Sequence, residues 1–411
     1  MTFKMDVAQD VADTGGGTQT ISFNSGFGTP EAILIFASTT LTLGDFGNDF
    51  MWSMGAADGT NEWNIALSSE DNVDPSADAC ISRTDSLLTI LTPGTSTVIA
   101  RAEFSSFGTD QVVINWTTTP PAAYQMMVVG FIGADFYVGN KTVSNTQDNT
   151  VNNTDPGFEP LWGFGACVNR LSGNDSYSYN AWSMGLFHNG SSLSQKCFSF
   201  FSPNGESAPV DVSGQAVTDG AGAAPFASGA LRFRLELGSF DSDGFSITTR
   251  EGTPEQDTDF FYICGRDAVN LKLSTLTTAT SSGSDSITDP GFEPIGVLGL
   301  ASNFTALDTA KITGDSVCGM FAFTDTDEYC ISGYKEDDAL SASHTWSFMA
   351  AAALDILIEN EGLEDLYTAA FTQWTSTGWD WNYSVPSGSP HYLFTLAFEP
   401  IGSPWYVYAQ Q

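Results

Sequence analysis

Short apolar runs separated by turn residues are the dominant pattern along this chain. Three of the runs are continuous and follow a turn that contains Gly, Phe and Pro: Ala32–Ala37, Leu161–Val168 and Ile295–Ala301. Each has the length of a strand, and β-branched or aromatic residues alternate with clusters of Gly, Ser, Asn and Asp elsewhere. Helical periodicity is nearly absent. The pattern therefore predicts an all-β fold.

One segment, Met349–Asn360, is long enough for a short helix. Its central residues, Leu354–Ile358, fit neither a helical nor an alternating template. They align with Leu87–Leu91, which resembles a hairpin strand that ends at a Pro-Gly turn. We interpret the segment as a strand.

Four landmarks occur three times in the same order, about 130 residues apart, which is the size of one ordinary domain. They are the turns Gly26–Pro30, Gly157–Pro160 and Gly291–Pro294; the motif at Trp52–Gly55 and Trp182–Gly185, with an echo at Val317–Met320; the turns at Phe107–Asp110, Phe240–Phe245 and Trp374–Trp381; and the closing strands Tyr124–Val129, Phe260–Cys264 and Tyr392–Phe398. The repetition predicts three tandem, duplicated antiparallel β-sandwich domains, at residues 1–133, 134–267 and 268–411.

The Gly-Phe-x-Pro turn has a mechanical interpretation. Gly adopts positive φ, Phe closes the end of the core, and Pro stands at the first position of a strand because it cannot continue a central ladder. We therefore assign these residues to folding and not to a ligand site.

The charge is strongly negative. The chain has 49 acidic and 13 basic residues, a net charge of −36. Such a surface repels nucleic acid and anionic membranes, so neither is expected as a partner. The first residues lack the apolar core of a signal peptide, and no apolar run approaches the roughly 20 residues that span a bilayer. We expect a soluble protein that is not exported by the ordinary route.

Self-repulsion of this surface is expected to weaken in salt, because the screening length falls from about 8 Å at 0.15 M to about 3 Å at 1 M. The melting temperature should therefore rise between dilute buffer and molar salt. The hypothesis that follows is a marine or halophilic origin. A melting temperature that does not rise in molar salt would remove its support.

Candidate chemistry is sparse. Six cysteines show neither a C-x-x-C motif nor His at a metal-ligand spacing, so we interpret them as buried thiols and expect no metal. The histidines, His188, His344 and His391, lie in no motif.

Gly314-Asp315-Ser316 matches the nucleophile block of one esterase family, but it lies inside a β repeat and we interpret it as a chance match. Asp241 and Asp243 would suit a glycosidase pair, although acidic turns explain them as well. We expect no catalytic residue and no cofactor.

The ordered landmarks resemble a tandem domain of predicted virion structural proteins of tailed phages and prophages. The resemblance covers nearly the whole chain and is strongest in the second copy, around Gly157-Phe158 and Gly244-Phe245. The third copy departs most, since Trp374 and Trp379 replace the Phe pair. The resemblance implies a structural or host-facing part of the particle, and no active-site residues.

Two function classes follow. The first is a non-enzymatic building block of a virion, at the tail fibre, the baseplate or the capsid surface. It would assemble in the host cytoplasm, contact other virion proteins, and form a homo-oligomer or be present in many copies.

The second class is a carbohydrate-binding module or a glycan-active protein that binds a host-surface glycan. Its candidate stacking residues are Trp379, Trp381 and Tyr383, of which the two Trp lie on one face of a strand. Core packing explains these rings equally well, because Phe245 and Ile247 occupy the matching positions of the second copy.

The last residues contain a surplus strand. The segment around Trp405, Tyr406 and Tyr408 resembles the strand at Phe136–Val138, so that three domains have four such strands. A strand left at a sheet edge is a template for pairing with another chain. We predict that it either caps the third domain or contacts another subunit, and we favour the contact.

Overall fold

The computed structural model of the protein describes residues 2–144, 146–168, 179–205, 212–225, 230–251, 257–266, 269–311, 315–336, 344–359 and 363–400. These residues form 31 strands and contain no helix. All pairings between the strands are antiparallel apart from one isolated bridge. The predicted all-β, antiparallel fold is confirmed.

The first unit spans residues 4–132. Its strands are β1 Lys4–Val11, β2 Gly17–Ser22, β3 Ala32–Ser38, β4 Phe46–Asn48, β5 Phe50–Ala57, β6 Glu62–Ser69, β7 Asp78–Arg83, β8 Leu88–Leu91, β9 Val98–Gly108, β10 Gln111–Thr118 and β11 Gln125–Ile132. A large sheet has the order β1-β11-β3-β5-β6-β7, and a small sheet has the order β2-β10-β9-β8.

The second unit spans residues 135–266. Its strands are β12 Asp135–Val143, β13 Thr150–Asn153, β14 Trp162–Val168, β15 Tyr179–Asn189, β16 Leu193–Pro203, β17 Ser213–Val217, β18 Gly222–Pro225, β19 Leu231–Asp241, β20 Gly244–Arg250 and β21 Thr258–Arg266. The sheet orders are β12-β21-β14-β15-β16-β17 and β13-β20-β19-β18.

The third unit spans residues 269–400. Its strands are β22 Val269–Thr277, β23 Gly283–Ile287, β24 Gly296–Ser302, β25 Ser316–Phe323, β26 Glu328–Lys335, β27 Thr345–Ala350, β28 Leu354–Glu359, β29 Leu363–Thr375, β30 Gly378–Val385 and β31 Tyr392–Pro400. The sheet orders are β22-β31-β24-β25-β26-β27, extended by β4, and β23-β30-β29-β28.

The same strand order thus recurs in three consecutive segments. The segment Met349–Asn360 contains the end of β27 and the strand β28, as interpreted from the sequence. The register also aligns the copies: Met54, Met184 and Met320 lie opposite equivalent residues of the preceding strand. Met320 therefore corresponds to Met54 and Met184. The sequence alignment of Val317–Met320 with Trp52–Gly55 was wrong by one residue.

Each pair of sheets encloses an apolar core of its own, which makes each unit a sandwich. The Phe of the Gly-Phe-x-Pro turn belongs to this core in every unit. Phe27 and Phe158 are each 6% exposed, and Phe292 is partly buried against the third core. The glycine before it has φ of 87°, 70° and 78° in the three turns, the left-handed conformation that glycine adopts without strain.

The opposite faces of the three large sheets are also buried, because they pack against one another. In β3, Ile33 and Ile35 lie in the first sandwich, whereas Leu34 and Phe36 belong to a cluster drawn from all three units. We call this cluster the shared core. Leu34, Phe164 and Leu298, at equivalent positions of the three units, are all completely buried in it.

The three units point the same way along a common axis. At the end that carries the Gly-Phe-x-Pro turns, which we call the turn end, Phe131, Trp162 and Phe398 bring together one ring from each unit. Their ring centroids are 5.3, 5.0 and 6.2 Å apart. At the opposite end, which we call the far end, Trp52 and Trp182 lie 5.5 Å apart.

One position shows that the contacts run in a cycle. Trp63 of the first unit donates from Nε1 to the carbonyl oxygen of Tyr262 in the second, at 2.9 Å. At the equivalent position of the second unit, Lys196 places Nζ 5.8 Å from the ring centroid of Phe394 in the third. In the third unit this position is Tyr329, which packs against the shared core. Its strand, β26, contacts β1 and β11 of the first unit, which closes the cycle. The arrangement is that of a pseudo-threefold axis within one chain.

Loops at the far end connect the units further. Strand β4, in the loop of the first unit between β3 and β5, pairs with β27 of the third. The equivalent loop of the third unit bridges to β17 of the second through Lys311 and Gly214. The equivalent loop of the second unit, residues 169–178, lies outside the described residues.

The glycines that follow two outer hairpin turns are expected to tolerate no side chain. A Cβ at Gly244 would lie 1.8 Å from the carbonyl oxygen of Asn153, and a Cβ at Gly378 would lie 1.9 Å from that of Ile287. Because these obstacles are backbone atoms, Gly244→Ala and Gly378→Ala should each lower the free energy of unfolding by about 1–3 kcal/mol in urea titrations. Gly388→Ala is the control, since nothing lies within 4 Å of its Cβ position. Equal stabilities of all three variants would contradict this geometry.

Candidate functional site

The predicted stacking residues lie in a core and not on a surface. Trp379, Trp381 and Tyr383 of β30 are 0%, 0% and 1% exposed. Their rings pack in sequence, 5.6 and 6.1 Å apart, and Phe323 lies 5.7 Å from Trp379. None of the three presents a ring face to a sugar. The glycan-stacking hypothesis for these residues is therefore replaced by its alternative, core packing of the third sandwich.

The predicted subunit-contact residues, Trp405, Tyr406 and Tyr408, lie outside the described residues. The last strand, β31, ends at Pro400, where it pairs with Val269. Strand β31 therefore ends at the turn end of the molecule.

The two motifs considered for catalysis lie in different units. Asp241 and Asp243 lie exposed at the turn between β19 and β20. Ser316 begins β25 and is 7% exposed, while Gly314 of the same motif lies outside the described residues.

The histidines and cysteines show no metal geometry. In the described part of the chain, no group of three or more His, Cys, Asp or Glu could hold a metal ion. All six cysteines are buried thiols, as expected from the sequence. Burial lowers the pKa of His391 to about 4, and burial also lowers the pKa of His188, so both rings favour the neutral form.

A polar cluster at the far end was missed from the sequence. The Lys335 ammonium of the third unit donates to Asp78 Oδ2 of the first unit at 3.1 Å and to Ser69 Oγ at 2.7 Å. Ser202 of the second unit donates to the other Asp78 oxygen at 2.9 Å. The Lys335 and Asp78 side chains are 8% and 0% exposed. The cluster links all three units by hydrogen bonds in a place that water hardly reaches.

A small cavity of about 30 Å³ adjoins this cluster. It is lined mainly by Phe50, Trp182, Phe200 and Tyr334, and by Cys318 of the third unit. Cys318 stands at the register position of Trp52 and Trp182 in the other units. The cavity is thus the space that the third copy leaves by having a small side chain on the axis. Its size suits about two water molecules and not an organic ligand.

A carboxyl or amide bridges the two sheets of every unit at the same register position. Glu62 Oε2 accepts from the Phe104 N–H at 2.7 Å, and Glu328 Oε2 accepts from the Phe371 N–H at 2.7 Å. In the second unit, Gln195 Oε1 accepts from the Leu237 N–H at 2.8 Å. In each unit the side chain accepts a hydrogen bond from a backbone N–H of the small sheet, in β9, β19 or β29. This N–H lies next to a β-bulge, where the regular ladder does not supply an acceptor.

Glu62 is expected to make stability depend on pH near neutrality. Burial raises the pKa of its carboxyl to about 7, against the lowering effect of the Phe104 hydrogen bond. A raised folded-state pKa means that the stabilising contribution is complete below the unfolded-state pKa, near 4.5, and is lost as pH rises through 7. Glu62→Gln should therefore match the parent at pH 4.5 and exceed its free energy of unfolding by about 1–2 kcal/mol at pH 8, allowing for partial exposure.

The second unit supplies the reciprocal control. Gln195→Glu introduces a carboxyl at the equivalent position, which is 6% exposed, and should destabilise the protein at pH 8 but not at pH 4.5. Urea unfolding at both pH values measures the two variants. A Glu62→Gln effect that is the same at pH 4.5 and pH 8 would contradict the role assigned to ionisation.

In the described part of the chain, no helix has the length and apolar character needed to cross a bilayer. The architecture that remains is a rigid three-unit body with an acidic exterior. Its distinctive features are the interfaces between the units, which hold the three sandwiches together. Comparison of the chain with protein-family models, with curated proteins and with solved structures finds no match.

Proposed function

We propose that the protein is a non-enzymatic structural component of a viral particle, at the surface of the capsid or on the tail. The observation that carries the proposal is the shared core, in which three sandwiches become one body. One apolar face of each large sheet holds the units together, so the outer faces and loops remain for contacts with other proteins.

The charge supports the same proposal. A net charge of −36 keeps copies of the chain apart in a crowded cytoplasm before assembly. It also favours partners with positively charged contact surfaces, because complementary charge speeds docking and suppresses wrong partners. The host-surface glycan alternative loses its candidate residues, since Trp379, Trp381 and Tyr383 are buried.

The test is whether the chain belongs to particles. Particles purified by density gradient from the cells that encode the protein are analysed by quantitative mass spectrometry. The protein should band with the particles at a fixed ratio to their main subunit, and the ratio should persist after a salt wash. Recovery only in the soluble fraction would contradict the proposal.

The segment after Pro400 extends the proposal to an assembly contact. Deletion of residues 404–411 should leave the melting temperature of the three units unchanged and reduce incorporation into particles. Normal incorporation of the truncated chain would limit the segment to a capping role.

A further inference from the structure

The three copies resemble one another more closely at the turn end of the pseudo-threefold arrangement than at the far end. At the far end the copies differ at the axis: Trp52 and Trp182 against Cys318, and Ser69 and Ser202 against Lys335. At the turn end, by contrast, the strand register and the two-residue hairpin tips repeat in all three units, although the turn Gly26–Pro30 is one residue longer than Gly157–Pro160 and Gly291–Pro294.

The turn end also repeats in sequence where the core does not require it. The heptapeptides Thr154–Pro160 and Thr288–Pro294 are identical. Burial of Phe and the fixed φ of Gly and Pro explain part of this identity. The Asp and Glu of both heptapeptides, however, are exposed: Asp155 and Glu159 in the second unit, and Asp289 and Glu293 in the third.

Hairpin tips next to these turns give each unit a matching exposed point. They carry Thr109, Ser242 and Ser376, all exposed hydroxyl residues at the same place in the β9–β10, β19–β20 and β29–β30 turns. In each unit the tip is hydrogen bonded to the Gly-Phe-x-Pro turn, for example from the Gly157 N–H to the Asp243 carbonyl oxygen at 3.0 Å. Tip and turn therefore form one rigid surface that occurs three times around the axis.

We propose that the turn end docks onto a site of threefold symmetry, where three identical copies of one partner subunit each contact one unit. The inference rests on the proposed function and adds the geometry of the contact. A surface repeated around an axis meets three identical subunits with three similar sets of contacts, which is how closed symmetric assemblies are built. The exposed Glu159 and Glu293 fit a positively charged partner surface. Asp155 and Asp289 already pair with Lys141 and Lys272 of their own units. The three contacts also act together, because they are held in one body.

Electron cryomicroscopy of the density-gradient particles tests the position. One chain is expected on each occupied threefold axis, with the turn end toward the particle and one chain for every three partner subunits. A chain that is bound to particles off a threefold axis, or in another ratio, overturns this inference and leaves the proposed function standing. A chain that is absent from particles ends both.

Crosslinking tests the contact surface. A photoreactive amino acid is placed in turn at Thr109, Ser242 and Ser376, and at exposed Thr119 of the far end as the control, with circular dichroism to verify folding. The three tip variants should crosslink to the same segment of the same partner subunit, and the Thr119 variant should not. Crosslinks to different proteins from the three tips, or from one tip alone, would overturn the threefold contact.

Discussion

Replacement of Lys335 by Met is expected to lower the free energy of unfolding by about 3–5 kcal/mol. The reason is that Asp78, whose side chain is 0% exposed, would lose the ammonium 3.1 Å away. Removal of one partner of a buried ion pair costs this much because the ammonium no longer offsets the desolvation of the buried carboxyl group. Urea unfolding at pH 7 measures the effect.

Two further variants separate the buried pair from charge in general. The double variant Lys335→Met, Asp78→Asn removes both charges and should recover most of the lost stability. Lys141→Met removes a cation from an exposed pair with Asp155, also at 3.1 Å, and should cost at most about 1 kcal/mol. If the double variant is no more stable than Lys335→Met, the cost does not come from burying Asp78 without Lys335.

Truncation of Trp162 to Ala should cost about 3–5 kcal/mol, and the loss should appear in all three units at once. Trp162 is completely buried at the turn end, and its ring lies 5.3 Å from Phe131 of the first unit and 5.0 Å from Phe398 of the third. Because the shared core joins the large sheets, we expect a single unfolding transition in which fluorescence and circular dichroism coincide.

Phe245→Ala is the matched variant for this coupling. Phe245 is 2% exposed and lies in the second sandwich alone. Its loss should nevertheless lower the melting temperature of the whole protein in one transition. A separate early transition of the second unit would show that the sandwiches unfold independently and that the shared core contributes little to stability.

The sequence was sufficient for the fold class, because strand-length runs and turn residues are local features. The strand at Leu354–Glu359 and the buried state of the six cysteines followed from the same local arguments. The repeated landmarks also located the turns and closing strands of the three units.

The shared core was not predicted, although its signal was present. In a lone sandwich, one face of each sheet meets water and the strand sequence alternates. The run Ile33-Leu34-Ile35-Phe36 does not alternate, and all four residues are 0% exposed. Continuous apolar strands of this kind indicate burial on both faces, which a separate domain does not provide.

The aromatic residues of β30 were wrongly predicted as a binding surface because their sequence pattern is the same in a buried strand. Trp379 and Trp381 lie on one face of a strand both in a stacking surface and in a core, so the pattern does not separate the two. The Lys335–Asp78 pair had no local signal at all, since 257 residues separate its members and only the packing of the units brings them together.

Lys335 illustrates what the covalent connection of the units permits. In a trimer of separate identical chains, any substitution on the axis occurs three times, so a lysine at this position would bring three ammonium groups together. Here the equivalent residues are Ser69 and Ser202, and one lysine faces one aspartate. Because the three copies are joined in one chain, a residue at the axis is free to change in one unit without changing in the other two. Each unit is able to evolve a different solution at one end while the other end keeps its symmetry.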